Sequence, residues 1–335
     1  MSKLNFGWQF VTVLLSIMFV ACSSDGEKKH ILVASKGLPS ELLLVVDGNV
    51  WNSDIKDSVN AIVEAQVPGL MQVEKMFRVT NILSHDYAPV HTTFHTKLFV
   101  KLDKSLDKPE MGIRRDEYAR PQLELMVAAP TMEELRTFLS DNRQRIMDIL
   151  TDFQVERRVG LLKKKYSKKV SDDLDGVFGL TVNAPEHMQA TKKGENFLWA
   201  STNLVEKDLN LVVYSYDWHG ENVADSSFLV VKRDSVMKKN IPGEKEGQWM
   251  QTVRGGEKSM PLVETKVCNL YGSRIVESRG LWEMRNGALG GPFVSIIRVD
   301  TVQRKVIVTE GFVYSPSTEK RDLVRTMEAV LRTVK

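Results

Sequence analysis

Three histidines crowd one short stretch, His85, His91 and His95 in HDYAPVHTTFH, with Asp86 beside the first. Imidazoles bind zinc, and three of them can leave an open coordination position for catalysis. The stretch has no H-E-x-x-H and no acidic residue between His91 and His95. It holds Pro89 and leads into a strand pattern, so it reads as a polar loop-to-strand edge, and no metal site is assigned. Nucleophile signatures are missing: there is no G-x-S-x-G elbow and no S-x-x-K with matching partners. The glycine patterns that cradle phosphates or dinucleotides are missing too, so no cofactor is expected. Adjacent carboxylates such as Asp172 and Asp173 read as solvated loop, and no general acid and base pair is assigned, so the catalytic set is empty. The basic run Lys163, Lys164, Lys165, Lys168 and Lys169 reads as a solvated helix C-terminus, where cations suit the helix dipole.

Two cysteines are present, Cys22 and Cys268, so there is no disulfide framework. Cys268 lies in the run VETKVCNLYG and reads as a buried structural thiol. Cys22 has a different setting. Lys3 precedes FVTVLLSIMFVA, an uncharged run from Phe10 to Ala21. That run is too short for a spanning helix of ~20 residues and suits a signal segment of ~7–15. The junction FVAC followed by SSDG resembles the lipobox of bacterial lipoproteins. The resemblance implies cleavage before Cys22, diacylglycerol on its thiol, and an acyl chain such as palmitate on the new amine. At ~0.8 kcal/mol per buried CH₂, several chains make such an anchor permanent. The expected layout is a signal peptide over 1–21 and a lipid anchor with tether over 22–36. The expected partner is membrane lipid, and the expected location is the cell envelope at the outer membrane, on either face.

The rest of the composition is ordinary for a globular chain: 335 residues, 42% hydrophobic and 27% charged. These values exclude disordered, collagen-like and coiled-coil classes. Lys+Arg is 46 against Asp+Glu 43. That balance does not announce nucleic-acid binding, and no nucleic-acid partner is expected.

The elements that would position any site repeat weakly. LLLVV at 42–46 and LNLVV at 209–213 are each followed by a tryptophan, Trp51 and Trp218, then a helical stretch, then Pro68-Gly69 or Pro242-Gly243. Partner strands at 94–102 and 292–299 precede closing strands at 121–129 and 304–314. Each closing strand leads to a helix, opened by Pro130-Thr131 with Glu134 in capping-box spacing, or by Pro316-Ser317. The first of these helices reads as continuous toward Tyr166. The last carries the stripe Leu323, Met327, Val330, Leu331 and Val334. The reading is an α+β chain of two domains, 37–170 and 171–335, each a mainly antiparallel sheet covered by helices, as an internal duplication would give. The boundary falls on a loop at Ser171–Gly176, and 103–120 reads as a loop. Residues 178–184 and 196–201 read as strands opening the second domain, whose order resembles the PsbP-like α-β-α sandwich.

The densest unusual stretch is 272–294, GSRIVESRGLWEMRNGALGGPFV. Asn286-Gly287 is a hairpin turn signal that pairs the strand through Arg279–Met284 with the one beginning at Phe293. Arg279, Trp282, Gly290 and Gly291 are the candidate binding residues, with a structural corner as the competing reading. Arg279-Gly-Leu-Trp282, Gly290-Gly-Pro-Phe-Val294, Gly311-Phe-Val-Tyr314, Lys320-Arg321 and Glu328-Ala-Val-Leu331 together resemble a Bacteroidota envelope lipoprotein family catalogued as domain of unknown function 4837. That resemblance implies an envelope lipoprotein and brings no catalytic residues. The leading reading is therefore a non-catalytic binding or assembly factor, acting on an envelope protein or a glycan. One alternative is an envelope hydrolase built from distant residues such as His187, His219 and Asp217. Another is a surface glycan-capturing protein using Trp51, Trp199, Trp218, Trp249 and Trp282 as platforms.

Overall fold

A computed structural model describes residues 32–255 and 260–335. Cys22 and the expected signal peptide lie outside them. From Val33 to Lys335 the chain forms one compact unit with an α+β fold.

The first half is built on Glu41–Val46 (β1), whose side chains are buried from Leu42 onward. An unbroken apolar strand suits an interior position covered on both faces. After β1 come Ile55–Val63 (α1), Arg78–Leu83 (β2), Thr96–Leu102 (β3), Glu110–Arg115 (β4) and Leu123–Ala129 (β5). The sheet order is β2-β1-β3-β5-β4. β1 is parallel to β2 and β3, β3 is parallel to β5, and only the edge strand β4 is antiparallel. The mainly antiparallel first sheet expected from the sequence is thus corrected. Between β1 and β2 the cause is α1, because a chain that crosses over through a helix re-enters its sheet in parallel; β3 and β5 are reached through the 84–95 connection and through β4. The 103–120 loop is corrected as well, since β4 lies inside it.

Met132–Asp141 (α2) begins with Thr131 as its cap, the Glu134 N–H donating to Thr131 Oγ1 at 3.3 Å; the Glu134 carboxylate accepts from the Thr131 hydroxyl at 2.7 Å, so the reciprocal half of the expected box is replaced. The helix is not continuous to Tyr166. It breaks at Asn142, whose Nδ2 donates to the Phe138 carbonyl, and Arg143–Lys164 (α3) follows. α3 serves two cores. Ile146, Met147, Leu150 and Phe153 pack on the first sheet, while Val155, Val159 and Leu162 pack on the second. The predicted loop at Ser171–Gly176 is instead the middle of Lys168–Phe178 (α4). Ser167 Oγ caps that helix, accepting from the Val170 N–H, and Gly179 ends it at φ 65°. The strand expected over 178–184 does not form, and beyond α4 the chain is an irregular connection outside the sheet. Thr181 and Lys335 exchange backbone hydrogen bonds there, at 2.9 and 3.1 Å.

The second half contains Ala190–Gly194 (β6), Phe197–Ser201 (β7), Asp208–Asp217 (β8), Ser226–Asn240 (α5), Met250–Thr252 (β9) and Val263–Leu270 (β10). Ser273–Met284 (β11), Gly290–Asp300 (β12), Lys305–Tyr314 (β13) and Arg321–Arg332 (α6) complete it. The order is β9-β11-β12-β13-β8-β7-β6, with β10 also on β11, and every pairing is antiparallel. One face packs on α3, α4 and α6, the other on α5, which makes a helix–sheet–helix sandwich. The expected duplication does not hold in the topology. β1, β3 and β5 are parallel neighbours in that order, whereas their counterparts stand in the order β8-β13-β12 and alternate in direction.

α6 seals the second core and joins it to the first half. Glu328 on this helix is almost fully buried, and accepts from Arg325 at 2.8 Å and from Arg279 of β11. Burial alone would push its carboxyl up. The two guanidiniums outweigh that and hold it at about 2. This folded-state value lies below the ordinary carboxylate value of ~4.3, so the charge stabilises the fold above pH ~4.5, and that contribution is lost as pH falls through about 2. Glu328→Gln leaves the buried Arg325 without its carboxylate and Arg279 with Glu277 alone. Urea denaturation at pH 7 should show a loss of ~3–5 kcal/mol. The variant's stability should also fall less steeply than the parent's between pH ~4.5 and ~2. Parental stability at pH 7 would contradict this account of the α6 contact.

Candidate binding cleft

The strands of the second sheet outrun the helix that covers them. β11, β12 and β13 hold 12, 11 and 10 residues. At ~3.3 Å per residue they reach roughly 33–40 Å. α5 holds 15 residues, which at 1.5 Å each gives about 22 Å. α5 is fixed by a buried pair: Arg233 forks onto Glu310 of β13 at 2.8–3.1 Å, and its guanidinium lies 4.1 Å from the Phe293 ring centroid. Ser295 Oγ donates to the same carboxylate. Beyond Asn240 the helix ends, and the sheet face opens into a cleft of about 880 Å³.

Aromatic side chains line it: Trp199 of β7, Trp282 of β11, and Phe312 and Tyr314 of β13. Two segments wall it, the chain from Ile241 to Gln248 and the β11–β12 turn. Gln248 ties the walls together by donating to the Asn286 carbonyl at 2.7 Å. Many polar groups are occupied with one another. Trp199 Nε1 donates to Asn210 Oδ1 at 2.8 Å, and Asn210 Nδ2 donates to Asp208 at 2.9 Å. Asp208 also accepts from Ser201 and Thr202. The charged lining residues balance, Lys192 and Lys245 against Asp208 and Glu244. Such a surface suits a ligand without net charge that has apolar faces and can displace water from aromatic rings.

The β11–β12 hairpin forms as expected, with Glu283 opposite Gly290, Trp282 opposite Gly291, and Asn286 at φ 56°. The four candidate binding residues do not form one site. Strand alternation turns Arg279 to the α6 face, where it pairs with Glu277 and Glu328, while Trp282 faces the cleft. Gly290 and Gly291 provide close approach rather than recognition. A Cβ on Gly290 would lie 2.9 Å from the Trp282 carbonyl oxygen, and one on Gly291 would run into the Val313 carbonyl. Trp282 is 3% exposed, donates to Val313 O at 3.2 Å and meets Phe312 edge-on at 5.3 Å. It is a core residue at the cleft's floor. Asn210 and Gln248 were not singled out from the sequence, and Tyr314 stood out only within the Gly311–Tyr314 motif. A polar Asn inside LNLVV was the one local signal for the first two.

The other chemistry-bearing residues are dispersed. His95 is buried, with Nδ1 at 2.7 Å from Thr96 Oγ1 and Nε2 at 2.9 Å from Leu38 O. Burial, aided by Arg157, pushes its pKa down to about 4. His91 Nδ1 accepts from the Ala88 N–H, and His85 sits exposed beside Asp86. Among the described residues no group of three or more His, Cys, Asp or Glu is arranged to hold a metal. His187 precedes β6 at the Asn210 end of the sheet. His219 and Asp217 lie at the far end of β8, so the hydrolase set does not converge. Cys268 is half-buried, and burial pushes its thiol up. Of the tryptophans named as glycan platforms, Trp199 and Trp282 share the cleft. Trp51 lies under Lys56, Trp218 donates to Glu221 O, and Trp249 lies between Lys238 and Arg285.

Truncating Trp282→Ala removes a buried aromatic and should cost ~3–5 kcal/mol, with a clear fall in melting temperature. An unchanged thermal melt would mean that Trp282 is not part of the core.

No curated protein matches the chain. Two family models do. Residues 35–162 match the Domain of unknown function (DUF8532), and residues 167–333 match the Domain of unknown function (DUF4837). The two matches meet within three residues of the end of α3. Through its second half, which carries the cleft, the chain belongs to the DUF4837 family.

Proposed function

We propose that this chain is a lipid-anchored protein of the cell envelope that binds its ligand in the second-half cleft without transforming it. The observation that carries the reading is the cleft itself: aromatic rings on a bare sheet face, polar groups bonded to one another, and balanced charges. A neutral glycan fits that chemistry, because the C–H faces of sugar rings stack on aromatic side chains while hydroxyls meet the amide rim. Trp199 and Tyr314 are the half-buried rings available for stacking. The anchor rests on the FVAC–SSDG junction, with acylated Cys22 holding the protein to the outer membrane. No described helix is long and apolar enough to cross a membrane.

Two measurements test this. A Cys22→Ser variant fractionated from cells should leave the membrane fraction and keep its precursor mobility. An unchanged distribution would rule out the anchor. On an array of neutral and charged oligosaccharides, the full chain should capture neutral ones. Trp199→Ala and Tyr314→Ala should each weaken capture by about tenfold or more, ~1.4 kcal/mol, with a smaller fall in melting temperature than Trp282→Ala. A blank array, or capture of charged glycans alone, would overturn the glycan reading.

A further inference from the structure

The first sheet has a second cavity of about 440 Å³, on the face away from its helices. Strand register explains it. Leu43, Lys97, Glu124 and Arg114 form one row across β1, β3, β5 and β4. The next row is Val45, Phe99, Met126 and Gly112. No helix covers these rows. Two loops do, and they bring Tyr87 and Tyr118 over Lys97. The apolar floor is Val45, Phe99 and Met126. The space stands open at Gly112, where an added Cβ would meet no atom within 4 Å.

Charge in the first row is uneven. Glu124 has a cation opposite it on each side but pairs with Lys97, at 2.6 Å. The Lys97 ammonium is fully buried, and also donates to Thr92 O at 2.6 Å and to Tyr87 Oη at 3.2 Å. It is therefore held by two hydrogen bonds and one ion pair. At the rim Lys101 pairs with Asp103 at 2.9 Å. Arg114 is left: it lines the cavity and has no ion-pair partner among the described residues. Its guanidinium is a planar fork matched to a carboxylate. Tyr87 stays a neutral donor at any physiological pH, since burial and the Glu124 charge push its phenol up to about 12.

We propose that this cavity binds a small monocarboxylate with an apolar body, its carboxylate on Arg114 and its body over Val45, Phe99 and Met126. An amine of the same shape is disfavoured, because Lys97 already neutralises the one carboxylate lining the cavity and the unpaired charge is positive. The site is separate from the second-half cleft and shares no lining residue with it.

The test is calorimetry on the full chain with 3-phenylpropanoate and 3-phenylpropylamine, which differ only in the charged end. The carboxylate should bind, and the amine should bind about tenfold more weakly or not at all. Arg114→Gln should lower carboxylate affinity by about tenfold or more. Gly112→Leu should fill the floor and abolish binding while the melting temperature holds. Trp199→Ala, in the other cleft, should leave this binding unchanged, so the two sites are told apart. The proposal is overturned by absence of binding at millimolar carboxylate, by equal affinity for the amine, or by affinity that survives both first-half variants.

Discussion

The first turn of α6 is capped by the other half of the chain. A helix start leaves backbone N–H groups without intrahelical acceptors. Here Glu74 accepts from the Lys320 N–H at 2.8 Å and from the Arg321 N–H at 2.8 Å. One residue further on, Asp322 accepts from Ser40 at 2.6 Å, Arg78 at 2.6 Å and Arg158 at 2.7 Å. These donors come from the turn before β1, from β2 and from α3. α6 in turn supplies Val324, Met327, Val330 and Leu331 to the second core. The second core is therefore closed by a helix whose start is held by first-half residues. Removing Asp322 leaves the half-buried Arg158 without its ion-pair partner and Arg78 with Glu319 alone. Two family matches thus correspond to two sheets with separate cores but one shared framework.

α3 completes that framework by changing face. From Phe153 to Val155 is a turn of about 200° around a helix axis at 100° per residue. That step carries the apolar surface from one core to the other. Gln154 stands at the crossing, buried, with its amide donating to Thr96 Oγ1 at 2.8 Å. A polar residue at this point keeps the cores distinct while satisfying the strand beneath it.

The same facts separate what the sequence makes legible from what it does not. The 286–287 turn, the α2 cap and the amphipathic α6 were readable because each depends on residues within a few positions of one another. Strand direction in the first sheet was not, because it follows from a helical crossover and from pairings between residues far apart in the chain. α3 hid its length and partners by presenting two apolar faces, which blurs a single 3.6-residue stripe. α4 looked like a loop because Asp172, Asp173, Asp175 and Gly176 disfavour helix. The Ser167 cap and the burial of Val170 and Leu174 override that preference. For the cleft, Trp282 and the glycine pair were visible as unusual residues, but their role was not. Whether an aromatic floors a cleft or fills a core depends on where α5 stops, and nothing near residue 282 encodes that.

Both cavities arise where a sheet face lacks a helix, and their chemistry differs because the exposed rows differ. A protein interior packs to near-crystalline density only when covering elements supply enough side-chain volume. α5 ends too soon to do so over the second sheet, and Gly112 with two loops falls short over the first. In the second sheet the bare rows carry rings and an amide, with the charged residues balanced around them. In the first, one row holds three charges, Lys97, Glu124 and Arg114, and an odd number cannot pair off. Burial decides which pair forms. Lys97 is fully buried and Arg114 lies at the edge, so leaving Lys97 unpaired would cost far more than leaving Arg114 facing water. The free guanidinium at the rim is thus a consequence of a lysine placed on an interior strand.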